Sequence, residues 1–324
     1  VSITIDTIDT TITERLPVVD APAFTLPVPD SEASFTTIVR AAGHATRLLP
    51  PDVHDALVDF TDAAPHAGAL LLRHMPIGDV GPTPPTPLSP VRKDRTSEMT
   101  LLTVARRLGQ PVGYLPEHGG DLIQNIVPTR TAATRQVSTS SRTELMFHTE
   151  AAFHPHRPRY LLLLCLRGDL DARTTLTSIN DVLPHLPGHV VDLLFQPRFR
   201  TAVDESYLHG RNNALGSPMP VLSGDRQRPS MVFDADLMVG VDAAADDALG
   251  DLERAVAAEQ RSITLSSGDL LVVDNNTAVH GRTPFTPRFD GTDRWLQRTF
   301  VVADLAPSAG ERTGRVITTT FGAD

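Results

Sequence analysis

A mainly β domain, a barrel or jelly roll carrying helices, is the architecture this sequence predicts. Three observations lead there. Strand-type segments crowd the chain from about residue 111 onward. Helix-type segments are few and do not alternate regularly with them, so the chain lacks the rhythm of a parallel sheet. The length, 324 residues, suits one β-rich domain with a large core.

The elements follow in order. Residues 1–30 are Thr- and Pro-rich, and Val1-Ser2-Ile3-Thr4-Ile5 reads as an arm or edge strand. Ser31 or Ser34 is placed to cap a helix over residues 35–48. Pro50-Pro51 breaks that helix, and Asp52 is placed to cap a second one running to Phe60. Ala69-Leu70-Leu71-Leu72-Arg73 is a buried strand. Prolines at 76, 82, 84, 85, 87 and 90 make a solvated, extended connection. A helix over 98–108 ends at Gly109. Strands are read at 122–127, 144–150, 159–166 and 174–178, then a short helical turn near 181–194. Residues 204–230 are polar and hold Gly210, Gly216 and Gly224. A loop that long in a compact domain is functional or mobile, and we read it as a lid. A strand at 230–236, a helix at 243–260 and strands at 263–265, 269–274 and 294–302 complete the pattern. No internal repeat is present. A single domain is expected over 1–324: an N-terminal arm and helices to 66, a core over 67–305, and a C-terminal tail over 306–324.

Composition narrows the function classes. Hydrophobic residues make up 40% and charged residues 21%, which excludes a disordered chain. A formal net charge of −10 argues against a nucleic-acid or anionic-membrane partner. The single cysteine, Cys165, lies in a leucine run and reads as a buried structural thiol. Residues 1–12 lack the pattern of a signal peptide, and no apolar run reaches the roughly 18 residues of a membrane span. A reducing, cytoplasmic setting is expected.

The chemistry centres on Met146-Phe147-His148-Thr149-Glu150. On a strand, residues two apart share a face, so His148 and Glu150 project together. A His-x-Glu pair alone means little, but Leu145, Met146, Phe147 and Phe153 put this pair at the end of an apolar strand. A buried charge there needs a partner, and a metal supplies one. His280 in Val279-His280-Gly281 is placed to close the triangle. Two histidines and one carboxylate form the ligand set of non-haem Fe(II) oxygenases. Arg294, Leu296 and Arg298 share one strand face, and arginines aimed at a core call for anions. Asp234 and Asp236, also two apart, repel unless a cation joins them.

Three stretches now carry a resemblance. They are His148-Thr149-Glu150, the Val273-Asp274-Asn275 run ahead of His280-Gly281-Arg282, and Phe285-Thr286-Pro287-Arg288-Phe289-Asp290-Gly291-Thr292-Asp293-Arg294-Trp295-Leu296-Gln297-Arg298. Together they resemble the clavaminate synthase-like Fe(II)/2-oxoglutarate oxygenases, and within these the free amino-acid β-hydroxylases acting on L-arginine and L-asparagine in peptide antibiotic pathways. The likeness spans about residues 67–305. Residues 137–145 are similar to the arginine enzyme. Leu115-Pro116-Glu117-His118 and the 157–167 run look more like the asparagine enzyme.

The resemblance implies a double-stranded β-helix core, Fe(II) on His148, Glu150 and His280, and dioxygen as oxidant. It gives the distal carboxylate of 2-oxoglutarate to Arg294 with help from Thr175. It gives the substrate α-carboxylate to Arg298 and the α-amine to Glu117, Ser138 and Glu150. Asp234 and Asp236 match the guanidinium clamp of the arginine enzyme, and the asparagine enzyme matches only one of them. Glu117 stands where the arginine enzyme has Gln. The expected activity is C3 hydroxylation of a free basic L-amino acid, with L-arginine leading. Lysine, ornithine, asparagine, glutamine, a carrier-bound residue or C4 attack are alternatives. A non-enzymatic cupin-like binding protein is a further one.

Overall fold

The leucine run singled out for its cysteine becomes the central strand. In the computed structural model, which describes residues 16–30, 33–63, 66–91, 93–208 and 210–322, Tyr160–Arg167 is extended and nearly all buried. A strand apolar on both faces must be covered on both. Leu162, Leu164 and Leu166 point to one apolar cluster, and Leu161, Leu163 and Cys165 to another. Each fully buried leucine contributes about 1.5–3 kcal/mol.

The strands that build the site, in chain order, are β1 (Val18–Asp20), β2 (Ala69–Arg73), β3 (Gln110–Tyr114), β4 (Gln124–Ile126), β5 (Leu145–His148), β6 (Tyr160–Arg167), β7 (Thr174–Ser178), β8 (Arg261–Ile263), β9 (Leu270–Asp274), β10 (Ala278–Arg282), β11 (Trp295–Val302), β12 (Arg312–Thr313) and β13 (Val316–Ile317). The larger sheet runs β1-β2-β9-β6-β11-β3-β13-β12, with β4 also on β11; the smaller runs β8-β7-β10-β5. Leu176 and Ala278 of the smaller sheet share a cluster with Leu163, Leu271 and Phe300 of the larger. The two sheets therefore enclose one interior, as a double-stranded β-helix requires.

Helices cover the outer faces. α1 (Phe35–Ala45), α2 (Pro51–Ala63) and α3 (Thr96–Leu108) pack Ile38, Leu57 and Leu102 onto the larger sheet. Ser34 caps α1, its Oγ accepting the Thr37 amide at 3.3 Å. Asp52 is no cap; it sits in the first turn of α2 behind Pro51, whose fixed φ suits a helix start. α4 (Ile179–Val182), α5 (Gly188–Leu194) and α7 (Ala243–Ala258) cover the outer side of the smaller sheet, where Val279 points.

Several expectations shift. The arm at Val1-Ser2-Ile3-Thr4-Ile5 and the capping role of Ser31 lie outside the described residues; the edge strand seen is β1, parallel to β2. The expected lid, 204–230, is not all loop. It starts with the short helix α6 (Glu205–Leu208) and ends in a hairpin of Leu222–Gly224 with Pro229–Met231. That second strand stops well before Asp236, because Asp234 Oδ1 accepts the amides of Asp236 and Leu237 and turns the chain. Within the expected tail, β13 runs parallel to β3 and extends the larger sheet.

Candidate metal centre and active-site cavity

β5 and β10 set the two histidines face to face. They pair antiparallel with His148 directly opposite His280, and a bulge follows before Arg282. The ring centroids lie 4.3 Å apart. The Gly281 between His280 and Arg282 has a steric reason: a Cβ there would come 2.4 Å from the Leu145 carbonyl oxygen and 2.8 Å from Thr175 Oγ1. Only glycine lets the strands approach this closely.

Glu150 reaches the same point by a different route from the one expected. β5 ends at His148, and Glu150 lies in a turn beyond it, just before Ala151 at φ 51°. Asn275 holds it there. Its Oδ1 accepts the Glu150 amide at 2.7 Å, and its Nδ2 donates to the carbonyls of Glu150 at 3.0 Å and Pro158 at 2.9 Å. His280 is central to a buried strand.

The three side chains form a ligand set. One ligand atom from each of His148, Glu150 and His280 lies within 4.8 Å of the other two. His280 Nε2 is 3.6 Å from Glu150 Oε2. His148 Nδ1 donates to the Met146 carbonyl at 2.9 Å, which fixes the ring's orientation. Burial, with His148 beside it, pushes His280 down to about 4, so its imidazole is neutral near pH 7. Burial raises Glu150, but the Arg298 guanidinium, the His280 hydrogen bond and His148 outweigh it and hold the carboxyl at about 2. Two imidazoles and one ionised carboxylate fit a divalent first-row metal.

Around the cluster lies a cavity of about 590 Å³, within the size range of small-molecule sites. Glu117, Ser138, Asp234, Asp236, Arg294 and Arg298 all line it. Arg298 is buried, with its Nε 3.0 Å from Gln124 Oε1 and its Nη1 3.4 Å from both Glu150 oxygens. Its Nη2 pairs closely with Glu117. Burial raises Glu117 above the usual carboxylate range despite that guanidinium. Arg294 is buried too, and no hydrogen bond or ion pair holds it among the described residues.

Thr175 is not among the residues that line the cavity. In the β7–β10 register Thr175 lies opposite Gly281, whereas Thr174 lies opposite Arg282, two residues from His280 on the inward face. Thr174 lines the cavity, and its buried Oγ1 has no hydrogen-bond partner among the described residues. The two acids also differ from the strand expected. Asp234 and Asp236 are in a turn; Asp234 is buried and Asp236 exposed. The turn is tied to the metal-ligand strand. Thr149 N donates to the Phe233 carbonyl at 2.7 Å and Ala235 N to the Phe147 carbonyl at 3.0 Å.

Asn275 and Tyr207 are functional candidates that sequence reasoning gave no role. Asn275 lay inside a quoted motif; Tyr207 lay unmarked in the polar lid segment. Cys165 stays as expected, buried, its thiol pushed up to about 12 by burial. No helix among the described residues is long and apolar enough to cross a membrane.

Residues 90–300 match the family described as taurine catabolism dioxygenase TauD, TfdA. L-asparagine oxygenase of Streptomyces coelicolor is 41% identical over 279 residues, 85% of this chain and 83% of that protein. L-lysine 3-hydroxylase of Catenulispora acidiphila is 40% identical over 280 residues, 84% of this chain and 78% of that protein. The crystal structure of the non-heme iron oxygenase OrfP with Fe, succinate and (3S)-hydroxy-L-Arg superposes with a TM-score of 0.80 at 32% identity, covering 89% of this chain and 93% of that one. The matched span contains His148, Glu150 and His280, and the chain belongs to the TauD, TfdA dioxygenase family as a clavaminate synthase-like oxygenase that uses Fe(II) and 2-oxoglutarate.

Proposed function

We propose that this oxygenase hydroxylates a free basic L-amino acid at C3, with L-arginine as the leading substrate. The observation that carries the reading is the placing of two acids, Asp234 and Asp236, on the wall of the cavity that holds the metal ligands. A guanidinium or ammonium group at the end of a side chain satisfies them. L-lysine 3-hydroxylase and OrfP, the latter crystallised with (3S)-hydroxy-L-Arg, are relatives consistent with that class.

The buried pair Arg298 and Glu117 supports a free amino acid. A zwitterion matches it, its carboxylate meeting the guanidinium and its ammonium meeting Glu117, Ser138 and the free edge of Glu150. A carboxyl esterified to a carrier lacks the charge Arg298 requires. Arg294 and the Thr174 hydroxyl, which both line the cavity, receive the distal carboxylate of 2-oxoglutarate. That assignment gives both unpartnered groups a common anion. His148, Glu150 and His280 hold Fe(II). Bound there, the metal with 2-oxoglutarate and dioxygen supplies an oxidant strong enough to replace an aliphatic C–H by C–OH, leaving succinate and carbon dioxide. The protein's part is to orient Cβ and exclude water. Closure of the 204–230 segment over the substrate serves the second task.

Succinate release, measured with each of the twenty amino acids and ornithine, tests the proposal. Turnover is expected on arginine, lysine or ornithine, and its absence on all three removes the basic-substrate reading. Asparagine is the second reading, favoured by the ties that hold Asp234 Oδ1 in its turn and leave Asp236 as the freer acid. Asp236→Asn separates the two: activity falls by about 100-fold if Asp236 meets a cation, and changes little if the substrate is neutral.

A further inference from the structure

The short helix α6 carries one buried aromatic residue, Tyr207, from the start of the lid segment into the cavity wall. Its hydroxyl donates to Glu117 Oε2 at 3.2 Å. The ring is held by others from distant parts of the chain. Phe153, three residues past Glu150, meets it edge-on at 4.9 Å. Phe321, from the C-terminal segment, lies 6.1 Å from Tyr207, 5.1 Å from Phe153 and 5.1 Å from His154, in edge geometry each time. Arg211, just after α6, donates to the Phe321 carbonyl at 3.3 Å. The segment around Phe321 thus spans the seam between α6 and the turn that follows the metal ligand. Aromatic pairs of this kind add about 0.5–1.5 kcal/mol each beyond area burial.

We propose that Phe321 is a strap that fixes Tyr207, and that Tyr207 is a positioning residue that aims the Glu117 carboxylate at the substrate's α-amine. The inference rests on the reading of Glu117 as the amine's partner. Glu117 has two oxygens. Arg298 takes Oε1 and Tyr207 takes Oε2, so the two donors together lock the plane of the carboxylate. Without the strap α6 loosens, the hydroxyl leaves, and the carboxylate turns about its own axis. The amino acid is then held less well, while 2-oxoglutarate, whose distal carboxylate goes to Arg294, is not affected.

The test uses Tyr207→Phe, Phe321→Ala and the double variant, with whichever amino acid the wild-type enzyme turns over best. Each single variant is expected to raise the amino-acid KM about tenfold while the 2-oxoglutarate KM stays within about twofold. The double variant is expected to lose no more than the worse single one, because one residue acts through the other. Phe321→Tyr, which keeps the ring, restores the wild-type KM. Trypsin should cut after Arg211 faster in Phe321→Ala than in the wild type. An unchanged amino-acid KM in both single variants overturns the proposal, and so do losses that multiply in the double variant. If Phe321→Ala does not fold, Tyr207→Phe alone carries the KM comparison. Glu117→Gln judges the reading of Glu117: a raised amino-acid KM there with none in the two single variants sinks the strap alone, whereas an unchanged KM in Glu117→Gln sinks the amine reading itself, so the two failures remain distinct.

Discussion

Asn275 makes three hydrogen bonds with one amide, two of them to the backbone of Glu150. It is wholly buried, so each bond lost on truncation strands a polar group away from water. Asn275→Ala is expected to lower stability by about 2–3 kcal/mol and metal affinity by roughly 10–100-fold. Urea unfolding and a metal titration measure the two effects. A variant with full metal affinity would mean that the turn holds Glu150 without it. The residues of the triad were legible because a two-residue spacing and a glycine-flanked histidine are local signals. Asn275 acts across 125 positions of sequence, so no local spacing announces it. Thr174 drew no notice in the sequence for another physical reason. Every residue of β7 is buried, with the cavity on one side and α7 on the other, so the alternation that reveals a strand's inner face is missing.

Among elements, the β5–β10 pair is the one whose spacing matters most. Its closeness depends on Gly281, and an added methyl group must push back the Leu145 carbonyl. Gly281→Ala is expected to cost about 1–3 kcal/mol and to weaken metal binding by moving His280 away from His148. Calorimetric metal titration checks this, and unchanged affinity would show that the strands tolerate the shift. Most strands stood out in the sequence because apolar runs bounded by turns mark them. The strand at 230–236 came out too long because the alternating Phe233-Asp234-Ala235-Asp236 pattern imitates a strand. Its first acid instead gives one oxygen to the backbone amides two and three residues on, a competition that side chains such as Asp often win.

At the scale of the molecule, the ligand set links the end of one strand, the turn after it and the middle of another. A divalent ion bound there stabilises only the folded chain, by about 2.7 kcal/mol when the free ion exceeds its dissociation constant 100-fold. Added Fe(II) under anaerobic conditions, or a redox-inert divalent substitute, should therefore raise the thermal midpoint, and chelation should reverse it. His280→Ala should abolish the response, and a persisting rise would place the ion elsewhere. The interior of the roll was predictable from sequence, because the leucines of β6 demand cover on two sides. The reach of the two chain ends was not. β1 and β13 join the larger sheet through backbone pairing, which leaves little mark in side-chain pattern.

The bridge between residues 233–235 and the backbone around His148 has a further consequence. On the proposed reading it makes the acid turn and the metal share one hydrogen-bonded ruler, whose graduations are peptide units rather than side chains. Which carbon of a bound amino acid lies opposite the oxidant is then gauged by main-chain geometry. Swapping pocket side chains would tune affinity, whereas moving attack from one carbon to its neighbour would take a change in the length of that turn.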